Sequence, residues 1–177
     1  YIKKLLKLLK TKNYTVQYHA HDIDPDEMQK IKTLKSNESD PLYSSLHDYD
    51  SLDQMMHRLG ETTCDDQIMI IFTEVIEHIP VDQVEGFMNK LIQGIGFHKM
   101  LITTPDHSFN QFYSKEPGEF RDEDHKQEFT RQQFCDLIEK ILKDTGCSED
   151  FNTQYLMIGD SVQGISMSQG FLITRTK

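Results

Sequence analysis

Residues 67–72 read QIMIIF, a nearly unbroken apolar run, and the chain turns polar at once as Thr73-Glu74-Val75-Ile76-Glu77-His78. Apolar residues without alternation suit a strand covered on both faces. Such strands belong to mainly parallel sheets clothed by helices, and strand-like and helix-like stretches do alternate along this chain. Residues 14–23 (YTVQYHAHDI) read as a strand, and Pro25 and Asp26 open a helix reaching about residue 35. Residues 42–46 suit a short strand, and 51–59 a helix ended by Gly60. Pro80 starts a helix to about residue 93, before Gly94 and Gly96, and residues 99–103 (KMLIT) form a strand stopped by Pro105. Thr130 caps a helix to about residue 143, and residues 154–158 and 170–174 are strands joined by a Gly/Ser-rich turn. The expected fold is α/β, with helices on both faces of one sheet.

The chain has 177 residues, which suits a single domain. Residues 106–124 are polar and irregular, and a loop of that length in a compact domain is usually functional or disordered. Lys+Arg number 19 against 29 Asp+Glu, a net charge of −10. That argues against a long, non-specific grip on nucleic acid, which needs a basic face, but not against a short acidic site that recruits cations. No apolar run approaches the roughly 20 residues of a membrane span. The segment YIKKLLKLLK at 1–10 places Ile2, Leu5, Leu6 and Leu9 on one helical face, as an ordinary packed helix or a short membrane-surface one would. Cys64, Cys135 and Cys147 are odd in number and lack CxxC spacing, so they read as reduced thiols of an intracellular, cytoplasmic protein.

In sheets of this kind ligands sit beyond the carboxyl ends of the strands. Asp22 follows the first strand, where an acid can hold a ribose hydroxyl pair. The run Asp22-Ile23-Asp24-Pro25 is equally a helix cap. Glu74, Glu77 and His78 follow the apolar strand. On one helical turn their three- and four-residue spacing points all three the same way, with Val75 and Ile76 turned into packing. Two carboxylates held together repel unless a cation sits between them, and two oxygens plus an imidazole suit a divalent metal. The plainer alternative is a solvated helix start. His125, 47 residues beyond His78 and before the capped helix, is the candidate that completes the set; a lone histidine in an acidic loop is otherwise just solvated.

Three stretches, FTEVIEHIP, LITTPDHSFNQFY and FRDEDHKQEFTRQQF, occur in that order. Together they resemble the small-RNA 3′-terminal 2′-O-methyltransferases, from about residue 14 to the end of the chain. The resemblance implies a Rossmann-like class I methyltransferase sheet. It makes Glu74, Glu77, His78 and His125 the ligands of one Mg²⁺ and assigns Asp22 to the ribose of S-adenosyl-L-methionine. It sets Ser45 near the adenine. Thr104, Pro105 and Asn110 match a T-P-N-type run, and Arg131 matches an arginine after the metal histidine. Asp106, Ser108, Gln127 and Phe129 depart from the family's usual residues, which bears on RNA contacts more than on the metal.

The family's first strand and glycine-rich cofactor loop have no counterpart here, since no glycine precedes Gly60. The expectation is therefore one methyltransferase domain over 1–177, incomplete at its N-terminus. The implied activity is Mg²⁺-assisted transfer of a methyl group to the 2′-OH of the 3′-terminal nucleotide of small RNAs of the piRNA, siRNA or miRNA type. Two imidazoles among the ligands would also suit Mn²⁺ or Co²⁺. The implied partners are the RNA 3′ end and an Argonaute- or Piwi-type protein presenting it, with neither DNA nor membrane. The alternative is a catalytically silent methyltransferase-like interaction domain. A metal-dependent hydrolase lacks the HExxH spacing, and a dinucleotide oxidoreductase lacks G-x-G-x-x-G.

Overall fold

The structure, a computed structural model, describes residues 17–22, 24–36, 46–61, 67–113, 116, 118–146 and 148–176. The expected helix over 1–10, Ser45 with the start of its strand, Cys64 and Cys147 lie outside these residues. Two compact units are found, Tyr1–Thr62 and Thr63–Lys177.

In the first unit β1 (Tyr18–Ala20) pairs in parallel with β2 (Leu46–Asp48), in the register Tyr18 to Leu46. Between them α1 (Pro25–Lys35) starts as its sequence directs. The Asp24 side chain accepts from the Asp26 amide at 2.8 Å, Pro25 fills a position that needs no amide, and Lys32 and Lys35 face the negative end of the helix dipole. Met28 and Ile31 pack on Ala20 and Leu46, with Tyr18 and Leu34 alongside. A second helix, α2 (Leu52–Gly60), is capped by Ser51 and includes the glycine expected to end it.

The second unit is a four-stranded sheet ordered β3-β4-β6-β5. Here β3 (Met69–Thr73) runs parallel to β4 (Lys99–Pro105), while β6 (Ile165–Arg175) is antiparallel to both β4 and β5 (Phe151–Val162). The sheet is thus mixed rather than mainly parallel. The reason is local: Gln163 and Gly164 have φ of 52° and 81°, the positive values of a two-residue hairpin turn, and a tight hairpin can only return antiparallel. The expected strands over 154–158 and 170–174 extend through the Gly/Ser-rich stretch almost to that turn.

Two helices line this sheet, α3 (Val81–Gly94) and α4 (Arg131–Asp144). Their buried faces, Val84, Met88, Leu91 and Ile92 in one and Phe134, Ile138, Ile141 and Leu142 in the other, follow the helical period. Phe87 of α3 stacks on Phe72 of β3, and Phe134 of α4 meets Phe171 of β6 edge-on. Phe72, Ile102 and Phe171 form one register row, so both helices lie on the same face. Ile71 and Met69 point to the other face and are 38% and 51% exposed. Within this unit, α3 and α4 both lie on the face that carries Phe72 and Phe171.

Thr130 and Gln133 form the reciprocal cap of α4, each side chain bonding the other's backbone. Thr130→Ala should cost about 1 kcal/mol of unfolding free energy. Chemical denaturation checks this, and no loss would show that the cap adds nothing. Among the described residues no helix is long and apolar enough to cross a membrane.

Candidate metal centre

β3 and β4 end side by side, with Thr73 in register with Thr103. The Glu74 amide continues the ladder by donating to the Thr103 carbonyl at 3.0 Å, and the Thr103 hydroxyl donates to Glu74 Oε1 at 2.8 Å. Glu74 has a φ of 53°, the left-handed region, and a short 3₁₀ helix begins only at Ile76 and runs to His78. The helical turn expected to align Glu74, Glu77 and His78 therefore does not form. Glu74 closes the strand instead, as an exposed side chain tied to Thr103. Ile76 is fully buried, as the spacing predicts.

Glu77 and His78 are joined from a distance by His125. Ligand-type atoms of the three lie within 4.8 Å of one another, and the two imidazoles meet edge-on with centroids 5.0 Å apart. The segment carrying His125 is pinned beside the 3₁₀ helix by four bonds. The amides of Lys126 and Gln127 donate to the Glu77 carbonyl at 2.8 and 3.2 Å, and Gln127 Nε2 donates to the carbonyls of Ile76 and Ile79. Gln127, one of the departures from the family pattern, here holds the two halves of the cluster together. His125 has a side chain only 7% exposed, unlike a histidine solvated in an acidic loop.

Glu77 is fully buried. Its Oε2 accepts from the Thr104 hydroxyl at 3.0 Å, while its Oε1 has no hydrogen-bond partner. Burial pushes the Glu77 carboxyl up to about 7, the charges of Glu74 and Glu128 add to the rise, and backbone and Thr104 bonds moderate it. A buried carboxylate oxygen without a donor is what a bound cation would satisfy. One carboxylate with two imidazoles is a donor set for a divalent ion, so these residues fit one.

Glu128 was not singled out by sequence reasoning, which saw only one acid among many. Its side chain is fully buried and accepts from His125 Nδ1 (2.6 Å), His107 Nδ1 (3.2 Å), Asn110 Nδ2 and the Arg121 amide. Burial alone would raise its carboxyl, but those four partners outweigh it and hold the group below its usual range. The readable signal was its place three residues after His125.

The expected loop over 106–124 is in part ordered as a 3₁₀ helix, His107–Phe112, started by the Asp106 side chain accepting from Ser108. Asp106 bridges to Phe129, and Gln169 donates to the Phe129 carbonyl at 2.7 Å, binding this segment to β6. Arg121 is spent internally, on the Asp106 carbonyl and Asn110 Oδ1. A pocket of about 200 Å³ elsewhere in this unit is lined by Asp106, Ser108, Ser166 and Tyr155, with Arg131 4.4 Å over the Tyr155 ring; none of the three clustered residues lines it. In the first unit, Asp22 is exposed beyond β1, its Oδ1 accepting from the Asp24 amide at 2.9 Å, and Asp24 itself takes the cap role. Ser45 is not among the described residues.

No family model matches the chain. It is 35% identical over 72 residues to a small RNA 2′-O-methyltransferase of Caenorhabditis elegans, covering 41% of this chain and 16% of that protein. It is 27% identical over 152 residues to one of Tetrahymena thermophila, covering 81% of this chain and 36% of that protein. The chain thus spans about a sixth to a third of the length of these two curated relatives. Among solved structures it matches the small RNA methyltransferase HEN1 at a TM-score of 0.72 and 25% identity, over 97% of this chain and 22% of that one. A chain of the Pnkp1/Rnl/Hen1 RNA repair complex matches at a TM-score of 0.72 and 28% identity, over 99% of this chain and 36% of that one. The chain carries the fold of the S-adenosylmethionine-dependent class I methyltransferases, and the proteins it resembles in both sequence and structure are the small RNA 2′-O-methyltransferases.

Proposed function

We propose that this chain acts in a methyltransferase that transfers the methyl group of S-adenosylmethionine to the 2′-oxygen of the 3′-terminal ribose of a small RNA. The observation that supports this most is the approach of Glu77, His78 and His125 at the carboxyl ends of β3 and β4, with Glu77 Oε1 buried and unpaired. Those three residues would hold a divalent ion, with Glu74 as a fourth donor. When bound, such an ion supplies Lewis acidity and a template for the two neighbouring hydroxyls of an unblocked ribose. Mg²⁺ prefers oxygen ligands, so the two imidazoles favour Mn²⁺ or Co²⁺ as well.

The chain's own groups prepare that site. The Thr104 hydroxyl fixes one oxygen of Glu77, and the short helix over Ile76–His78 presents His78 beside it. Asp22, exposed at the tip of β1, is suited to the ribose hydroxyls of the cofactor. In the transfer the sulfur–methyl bond breaks as the oxygen–methyl bond forms, and the 2′-hydroxyl proton is released. Near the long loop, cations for the RNA backbone are few among the described residues. Lys126 and Arg131 are exposed, Arg121 is internally engaged and Lys115 is outside the described residues. The end's geometry and its hydroxyls, rather than base sequence, would then be read. We read the protein as cytoplasmic and acting in RNA-mediated silencing, with an Argonaute- or Piwi-type protein presenting the RNA. The match to a repair-complex chain makes repair of RNA ends the second setting.

A methylation assay with short single-stranded RNA tests this. RNA with a free 2′,3′-diol should accept methyl groups, and periodate-treated RNA and reactions with EDTA should not. Varying the 3′ nucleotide should change kcat/KM by well under a hundredfold. Transfer to periodate-treated ends, or full activity in EDTA, would overturn the reading.

A further inference from the structure

Glu128 lies outside the group formed by Glu77, His78 and His125, yet it receives two contacts on each oxygen. Oε1 takes the Arg121 amide and His125 Nδ1; Oε2 takes Asn110 Nδ2 and His107 Nδ1. The amide of Arg121 is a donor without ambiguity, and an ionised carboxylate can only accept. Nδ1 of His125 is therefore the ring nitrogen that carries a proton toward Glu128, which leaves Nε2 as the one a metal could take. A ligating histidine commonly gives its other ring nitrogen to a carboxylate in this way, which fixes tautomer and orientation together. The same carboxylate also grips His107 and Asn110 of the 3₁₀ helix and the backbone at Arg121, so one buried group ties that helix and Arg121 to the histidine that closes the cluster.

We propose that Glu128 is a positioning residue for the metal centre: by accepting the Nδ1 proton of His125 it fixes that ring beside Glu77 and His78 and leaves Nε2 for a metal, and by holding His107 and Asn110 it locks the 107–112 helix to that arrangement. This rests on the reading of His125 as a ligand, so the test separates the two. In the metal-free protein, long-range proton–nitrogen NMR should show the His125 proton on Nδ1. A proton on Nε2 overturns the inference without any variant. Mn²⁺ alone is then titrated by calorimetry into the unaltered protein and into Glu128→Gln, which keeps shape but cannot accept on both atoms. The variant should bind Mn²⁺ roughly 10–100-fold more weakly. Glu128→Asp, which keeps the charge on a shorter stem, should recover part of that loss and decides the matter if the glutamine variant does not fold. Affinities of the folded variants within twofold of the unaltered protein overturn the inference. Failure of the unaltered protein to bind Mn²⁺ strikes the metal reading instead.

Discussion

Replacing Glu77 by Gln should lower methyl transfer by about a thousandfold or more while leaving the fold as stable as before, or more so, when metal is absent. The two effects have one cause. Glu77 is fully buried with one oxygen unpaired, so the isolated fold gains nothing from its negative charge and bears its desolvation. The lifted carboxyl, about 7 against 4.5, corresponds to about 3 kcal/mol of disfavoured ionisation as an order of magnitude. A residue kept for structure would show the opposite, losing stability when neutralised. His125→Ala should likewise lose activity, although its cavity and the stranded Glu128 make it the less clean variant. Parallel activity and thermal-unfolding measurements on Glu77→Gln decide the point: full activity, or a large fall in stability with activity preserved per folded molecule, would assign Glu77 to the scaffold.

The second large effect is on pH and metal together. The carboxyl of Glu77 binds its proton more tightly in the folded chain than in the unfolded one, so this group favours folding at low pH. Its contribution is fully present below about 4.5 and is lost as the pH rises toward about 7. Without metal, Glu77 should make the protein less stable at pH 8 than at pH 5 by about 3 kcal/mol before other groups are counted. Mn²⁺ binds the ionised carboxyl, so adding it should restore stability at pH 8, do little at pH 5, and release protons on binding near pH 6. Comparing Glu77→Gln with the parent isolates this group from the other titrating side chains. A parent whose metal-free stability differs from the variant's by the same amount at both pH values would refute it.

Much of this was readable where the signal is local. Thr130 and Gln133 announce a capping box within four residues, and Asp24-Pro25-Asp26 announces a helix start; both form. The strand before Glu74 and the strand over 99–103 were legible from their apolar runs, although the latter runs on through Pro105, which pairs with Ser168, rather than stopping before it. The hairpin strands were read too short because Ser161, Ser166 and Ser168 have weak strand preference. Pairing with neighbours decides there: Ser161 faces Ser166, and Ser168 faces both Ile158 and Pro105. The direction of Glu74 was not legible either. A left-handed φ in a residue other than glycine is uncommon, and here the ladder bond to Thr103 holds it. Glu128 and Gln127 were obscured by an acidic, polar loop, where only the folded chain shows which side chains turn inward.

The approach of Glu77 and His78 to His125 is the part no local signal could supply, since it joins segments 47 residues apart through backbone bonds at Lys126 and Gln127. Its most direct test is anomalous diffraction from crystals of the protein soaked in Mn²⁺. A single strong peak roughly 2.0–2.3 Å from a Glu77 carboxylate oxygen and from one ring nitrogen each of His78 and His125 is the predicted result. A peak away from all three, with their side chains still grouped and no ion between them, would contradict the account.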